Sequence, residues 1–244
     1  KSFVKQGIKI KTSSMVKSLK KSKAKISVQI ETAAGSEEVS VEKVILAVGI
    51  IGNTEDLGLG NTSAEVSNGQ LVVDKWGATK EPGLYAIGDL VGAPWLAHKA
   101  SHEGVICAER IAGIENVHPL DTSNIPGCTY SRPQVASVGL TQKLAEDAGY
   151  KVRVGHFPFV GNGKAIALGE TDGFVKTVFD AKTGELLGAH MIGAEVTEMI
   201  QGYTVARTLE TTESELLNTV FPHPTLSEMM HESVLDAFDR AIHI

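Results

Sequence analysis

Cysteine is scarce. The 244-residue chain holds two, Cys107 and Cys128, in unlike surroundings, and no CxxC. That excludes a zinc site of the usual spacing and a disulfide framework, and it points to a reducing compartment. Long apolar runs are lacking too. The longest, Val44 to Gly52, has nine residues, where a bilayer needs about 20. The first 25 residues contain no apolar core of the kind a secretory signal carries. An excess of positive charge is also absent: the net charge of −6 and pI near 5.8 argue against nucleic acid as the main partner. Neither GxGxxG nor GxxxxGK[ST] occurs. Gly161-Asn162-Gly163-Lys164 runs on into Ala165, so the hydroxyl that would hold magnesium is missing. Any phosphate cradle for a dinucleotide must lie elsewhere. Finally, the chain opens Lys1-Ser2-Phe3 with no Met, which suggests processing or excision from something longer.

What is present is ordinary for a globular protein. Hydrophobic residues are 42% and charged residues 21%, enough for one large domain or two modest ones. The charge is uneven, because residues 1–25 carry nine lysines and no acid. A basic arm for an anionic partner is one reading. The plainer one is an edge of a larger domain with solvated lysines.

Periodicity places the elements. Gly7–Lys11 and Ile26–Ile30 alternate as half-buried strands do, and Val39–Val48 ends in the continuous apolar run of a strand buried on both faces. Residues 52–70 read as loop, 71–73 and 84–87 as short strands, and 96–111 as a helix in which Gly104 permits close packing. Residues 116–127 form a linker. Beyond it, strands are predicted at 128–130, 134–138, 151–157, 173–179 and 186–192. Helices are predicted at 142–148, 195–209, 213–219 and 226–240. Thr212-Glu213-Ser214-Glu215 and Thr225-Leu226-Ser227-Glu228 both match the capping box.

Three constellations could carry chemistry. Asp89 follows an apolar strand at a glycine corner, a ligand-binding position in α/β sheets; it equally suits a residue capping the next turn. His98 and His102 share a helix face, with no third metal ligand at helical spacing and Glu103 on another side, so no metal site is expected. In Phe221-Pro222-His223-Pro224-Thr225-Leu226-Ser227-Glu228, a histidine sits between two prolines, and its bond to Pro224 is a candidate cis peptide. Glu228 could fix one imidazole nitrogen while the other faces a substrate as base or acid, a task that suits histidine near neutral pH. Equally, Glu228 could complete a capping box and His223 fill a turn. Cys107 and Met229-Met230 read as packing residues, and Cys128 has no evident activating partner.

Together these stretches resemble the class I pyridine nucleotide–disulfide oxidoreductase family, specifically the C-terminal half of its dihydrolipoyl dehydrogenase branch. The resemblance covers essentially the whole chain. It rests on Val48-Gly49, Tyr85-Ala86-Ile87-Gly88-Asp89, Leu96-Ala97-His98-Lys99-Ala100 with Glu103-Gly104, Thr129-Tyr130 with Pro133-Gln134-Val135-Ala136, Leu187-Gly188-Ala189-His190, and His223 to Glu228. It implies a mixed α/β and α+β architecture. Residues 1–50 would end a NAD-binding Rossmann-like domain, 51–120 would form a central FAD-contacting domain, and 121–244 an α+β interface domain that makes a symmetric dimer. It implies FAD and NAD as cofactors. Asp89 would meet the ribityl chain, Trp95, Leu96, Ala97 and His98 the flavin ring, and Gly49 and Val16 the NAD. His223 would be the catalytic base and Glu228 its orienting partner. The family's glycine loops and CxxxxC pair are not in this chain, and Ile50-Ile51-Gly52 replaces its usual Arg-Arg-Pro. The resemblance further implies the missing half of the same enzyme and a lipoyl-bearing acyltransferase of 2-oxo acid dehydrogenase complexes as partners, in a bacterial cytoplasm or a mitochondrial matrix, with no role for nucleic acid or membrane. The alternatives are a non-catalytic dimerisation and docking fragment, or a disulfide reductase of the glutathione or mercuric type.

Overall fold

The protein is described here by a computed structural model covering residues 1–243. It divides into two units, Lys1–Ile50 and Ile51–Ile244.

In the first unit a short helix, α1 (Ser2–Lys5), precedes strands β1 (Met15–Lys21), β2 (Ile26–Thr32) and β3 (Gly35–Val41), an antiparallel sheet in the order β1-β2-β3. The turn between β2 and β3 is closed by Gly35 at φ +125°. The alternating β2 is central and contributes Val28, the unit's buried hydrophobic residue. Edge strand β1 carries Lys17, Lys20 and Lys21 and is exposed throughout, so its lysines are solvated edge residues that discourage further pairing. Two expectations fail here. Gly7–Lys11 forms no strand. The apolar run does not continue β3 either: Ile45, Leu46 and Val48 are 91%, 80% and 86% exposed. A strand buried on both faces needs ladder partners and covering layers, and residues 44–48 pair with none of the unit's three strands.

The second unit begins with a small hairpin, β4 (Val66–Ser67) and β5 (Gln70–Leu71). Asn68 at φ 51° and Gly69 at φ 75° make its turn, the left-handed pair that an Asn-Gly connection favours. The expected strand at 84–87 is reduced to one bridge between Ala78 and Tyr85. Gly88–Val91 then forms a single 3-10 turn, and helix α2 (Ala97–Ile111) follows. Ile87 Cδ1 lies 3.1 Å from where a Cβ on Gly104 would stand, the close packing that the glycine foreshadowed.

The rest of the chain is an α+β layer: β6 (Gly127–Thr129), β7 (Gln134–Gly139), α3 (Gln142–Asp147), β8 (Val152–Pro158), α4 (Gly163–Leu168), β9 (Phe174–Asp180), β10 (Leu186–Gly193), α5 (Val196–Thr208), α6 (Glu213–Asn218) and α7 (Glu228–Ala237). Its five strands are antiparallel in the order β6-β7-β10-β9-β8. Alternation sorts β9 by face: Val175 and Phe179 enter the main core with residues of α5 and α7, while Val178 joins Ala145 of α3 and Leu187 in a smaller one. Each large apolar side chain buried in this way contributes about 1.5–3 kcal/mol.

Helix α7 is seated hard on the sheet. A Cβ on Gly155 would stand 1.7 Å from the Ser233 carbonyl oxygen, and the hydroxyl of buried Thr177 donates to that same oxygen at 3.1 Å. Tyr203 of α5, wholly buried, donates to the Met230 carbonyl at 2.9 Å. The capping box at Thr212 and Glu215 is present. The one expected at Thr225 is half made, and α7 starts at Glu228 rather than at 226. The Thr225 hydroxyl is spent on the Pro222 carbonyl at 2.7 Å instead of on the helix. Helix α4 was not foreseen from the sequence; Asn162 caps it by accepting from the Ala165 amide. Among the described residues no helix is long and apolar enough to cross a membrane.

Candidate functional site

His223 stands in the turn before α7, with a cis bond to Pro224. Its Nδ1 lies 2.9 Å from Oε1 of Glu228. A carboxylate can only accept, so Nδ1 carries the proton and, in the neutral ring, Nε2 has a free lone pair. The imidazole is 81% exposed and its carboxylate partner 29%. The Thr225 amide donates to the other oxygen, Oε2, at 2.9 Å, so one carboxylate serves the histidine and the turn. Buried Asn162 completes the lock, donating from Nδ2 to the Thr225 carbonyl at 3.1 Å. Partial burial pushes the Glu228 carboxyl up. The Thr225 amide, the His223 hydrogen bond and the nearby His223 and His243 rings outweigh that and hold it below its ordinary value. Glu228 is also the first residue of α7, where a negative charge is favoured. An open groove of about 860 Å³ runs past the histidine, walled by Phe157, Phe221, His231 and His243.

The second cluster surrounds the glycine corner. Asp89 lies in the 3-10 turn Gly88–Val91, with its carboxylate exposed and without a hydrogen-bond partner among the described residues. Trp95 is 39% exposed. Leu96 is the extended residue that enters α2, and Ala97 and His98 are the helix's first two residues. No side chain caps that end, which leaves first-turn N–H groups unsatisfied by the helix itself. The His98 ring engages the linker, where Nε2 donates to the Pro126 carbonyl at 2.9 Å. Glu103 does not stand idle on another face, as the sequence suggested. It accepts from the Gly88 amide at 2.7 Å and pairs with Lys99 at 2.8 Å. Val16, on edge strand β1, and Gly49, at φ +132° past β3, belong to the first unit, and both are exposed.

The structure thus joins His223 to Glu228 directly and sets Asp89 and the start of α2 around one corner. The sequence assigns no role to Asn162, and it shows Lys99 and Glu103 as motif residues without their contacts. An i,i+4 Lys–Glu pair was visible as a helix pattern. Nothing local tied Asn162 to a turn 63 residues away.

Comparison with known proteins places this geometry. Residues 1–104 match the model described as pyridine nucleotide-disulphide oxidoreductase. Residues 125–234 match that of the same family's dimerisation domain. The chain belongs to the pyridine nucleotide-disulphide oxidoreductases. Dihydrolipoyl dehydrogenases from Zymomonas mobilis and Rhizobium etli are 58% and 54% identical over the whole chain, which covers 52% and 51% of them. The chain therefore spans about half the length of the curated relatives it matches. Among solved structures, LpdA from Mycobacterium tuberculosis superposes with a TM-score of 0.87 at 26% identity, over 96% of this chain and 50% of that one. The HOCl-induced flavoprotein disulfide reductase RclA from Escherichia coli gives 0.82 at 25%, over 90% and 50%.

FAD and NAD are this family's cofactors. The donor set at the glycine corner fits a flavin nucleotide. A partnerless carboxylate suits polyol hydroxyls, and an uncapped helix start suits carbonyl oxygens at a ring edge.

Proposed function

We propose that the chain is the C-terminal half of a dihydrolipoyl dehydrogenase. The complete enzyme would oxidise protein-bound dihydrolipoamide to lipoamide with reduction of NAD+. The His223–Glu228 pair, its exposed imidazole lining an open groove with Nδ1 engaged by the carboxylate, carries this reading. Nε2 takes the proton of a substrate thiol. The thiolate then attacks one sulfur of a disulfide held by the other half, forming a mixed disulfide and releasing the second sulfur as thiolate. Glu228 stays anionic, keeps the ring in the Nδ1–H tautomer and favours the imidazolium once formed. FAD, when bound, supplies the two-electron relay from the dithiol to NAD+.

Asp89 accepts from ribityl hydroxyls, and Trp95 to His98 line the ring. Gly49 and Val16 meet NAD. Residues 121–244 form a two-fold interface, through which His223 serves the opposite subunit and beside which a lipoyl-bearing acyltransferase docks. A bacterial cytoplasm suits this role, as does its counterpart, the mitochondrial matrix.

The test is His223→Gln in the complete enzyme. Dithiol oxidation should fall on the order of 10²–10⁴-fold with flavin content unchanged; a loss under threefold removes the assignment. The match of residues 125–234 to a dimerisation-domain model favours a second reading, a non-catalytic dimerisation and docking module. Turnover of dihydrolipoamide by the 244 residues alone would exclude it. A preference for glutathione disulfide over lipoamide in the complete enzyme would move the assignment to another reductase.

A further inference from the structure

Lys99 is among the few charged residues of this chain that are buried, at 4% exposure. Its ammonium pairs with Glu103, one turn further along α2, at 2.8 Å. It also donates to the Gly92 carbonyl at 3.2 Å. The second oxygen of Glu103 accepts from the Gly88 amide at 2.7 Å. One ion pair on one helix therefore grips both ends of the five-residue loop Gly88–Gly92, and Asp89 lies between the two grips. Backbone geometry fits such a clasp. Gly88 and Gly92 have φ of +71° and +108°, conformations that other residues rarely adopt. A Cβ on Gly88 would stand 3.0 Å from the Ala100 Cβ, so the loop lies directly against the helix.

A buried ion pair is poor evidence of net stabilisation, because desolvating two charges offsets their attraction. Its better-attested effect is to fix one arrangement among several. Here the arrangement it fixes is that of a loop whose one acid is exposed and partnerless. We propose that Lys99 and Glu103 are positioning residues for Asp89, aiming its carboxylate at the flavin's polyol chain and holding the loop in register with the start of α2. They touch no cofactor themselves. The inference rests on the reading that Asp89 meets FAD.

The experiment measures FAD dissociation constants for the complete enzyme, by recovery of flavin fluorescence on release, together with the melting temperature of the apoenzyme. Three variants are compared: Asp89→Ala, the paired Lys99→Met/Glu103→Gln, and all three substitutions combined. The paired variant leaves no unpartnered buried charge. It should keep the apoenzyme's melting temperature and bind FAD at least tenfold more weakly. Because the clasp acts through Asp89, the combined variant should lose no more affinity than Asp89→Ala does alone. Wild-type affinity within threefold for the paired variant, with Asp89→Ala weakened tenfold, overturns the clasp and leaves the Asp89 reading intact. Losses that multiply in the combined variant also overturn it. Unchanged affinity in Asp89→Ala overturns the underlying reading. If the paired variant does not fold, Lys99→Met, which removes the grip on Gly92 and leaves Glu103 partly exposed and bonded to the Gly88 amide, takes its place in the same cycle against Asp89→Ala, and the same two criteria decide.

Discussion

Glu228 receives the Nδ1–H of His223 at 2.9 Å through Oε1, while its Oε2 takes the amide of Thr225. The carboxylate thus does two things at once: it sets the tautomer of the ring and ties the ring's turn to the first residue of α7. A glutamine has one oxygen and can satisfy both donors less well. In the complete enzyme Glu228→Gln should lower dithiol oxidation roughly tenfold or more, by less than the loss from His223→Gln. Steady-state kinetics of the two variants side by side checks the order. A Glu228→Gln enzyme with wild-type turnover would reduce the carboxylate to a helix cap.

The same carboxyl makes the turn sensitive to acid. It is held below its ordinary value of 4.5, with burial opposing and hydrogen bonds winning. A carboxyl with a lower pKa in the folded than in the unfolded chain stabilises the fold where it is ionised in both, above that ordinary value. The contribution disappears as the pH falls through the depressed value. Wild type should therefore melt higher than Glu228→Gln near neutral pH, and the gap should close below about pH 4.5. Thermal scans from pH 7 to pH 3 measure the gap; one that widens on acidification contradicts the assignment.

Legibility followed sequence distance. The five-stranded layer was readable because strands β7 to β10 alternate or run apolar and are punctuated by turns, as at Asp180–Gly184. His223 and Glu228 were readable as a pair because they lie five positions apart in a stiff stretch. Their lock was not, because Asn162 reaches Thr225 across 63 residues. The start of α7 was misplaced because Thr225 bonds backward to Pro222 and cannot cap forward. Residues 44–48 have the composition of a buried strand, but composition does not supply the neighbours that bury it.

Gly155 tests how far the site depends on the seating of α7. Its missing side chain lets Ser233 and Ala237 lie against β8, with the Ala237 amide 2.8 Å from where a Cβ would stand. Gly155→Ala pushes on backbone atoms, which cannot rotate away. Overpacking of this kind costs about 1–3 kcal/mol, or roughly 2–12 °C in a chain of this size. Since Glu228 opens α7, turnover should fall along with the melting temperature. A variant that melts and turns over like wild type would mean that the helix has slack at this contact.

The exposed apolar run yields the last prediction. Ile45, Leu46 and Val48 leave a large apolar surface in water, at about 25 cal/mol for each Å² that could be covered. If the chain is half of a larger enzyme, the other half should supply ladder partners and covering helices for this segment. Hydrogen exchange followed by mass spectrometry on the complete enzyme reads this directly. The amides of residues 44–48 should then be protected for hours, like those of β9 and β10, because only global or sub-global opening frees a buried central strand. Exchange within seconds would show that the segment stays open in the full protein. That result would detach these residues from any parallel sheet and remove Gly49 from the nucleotide site.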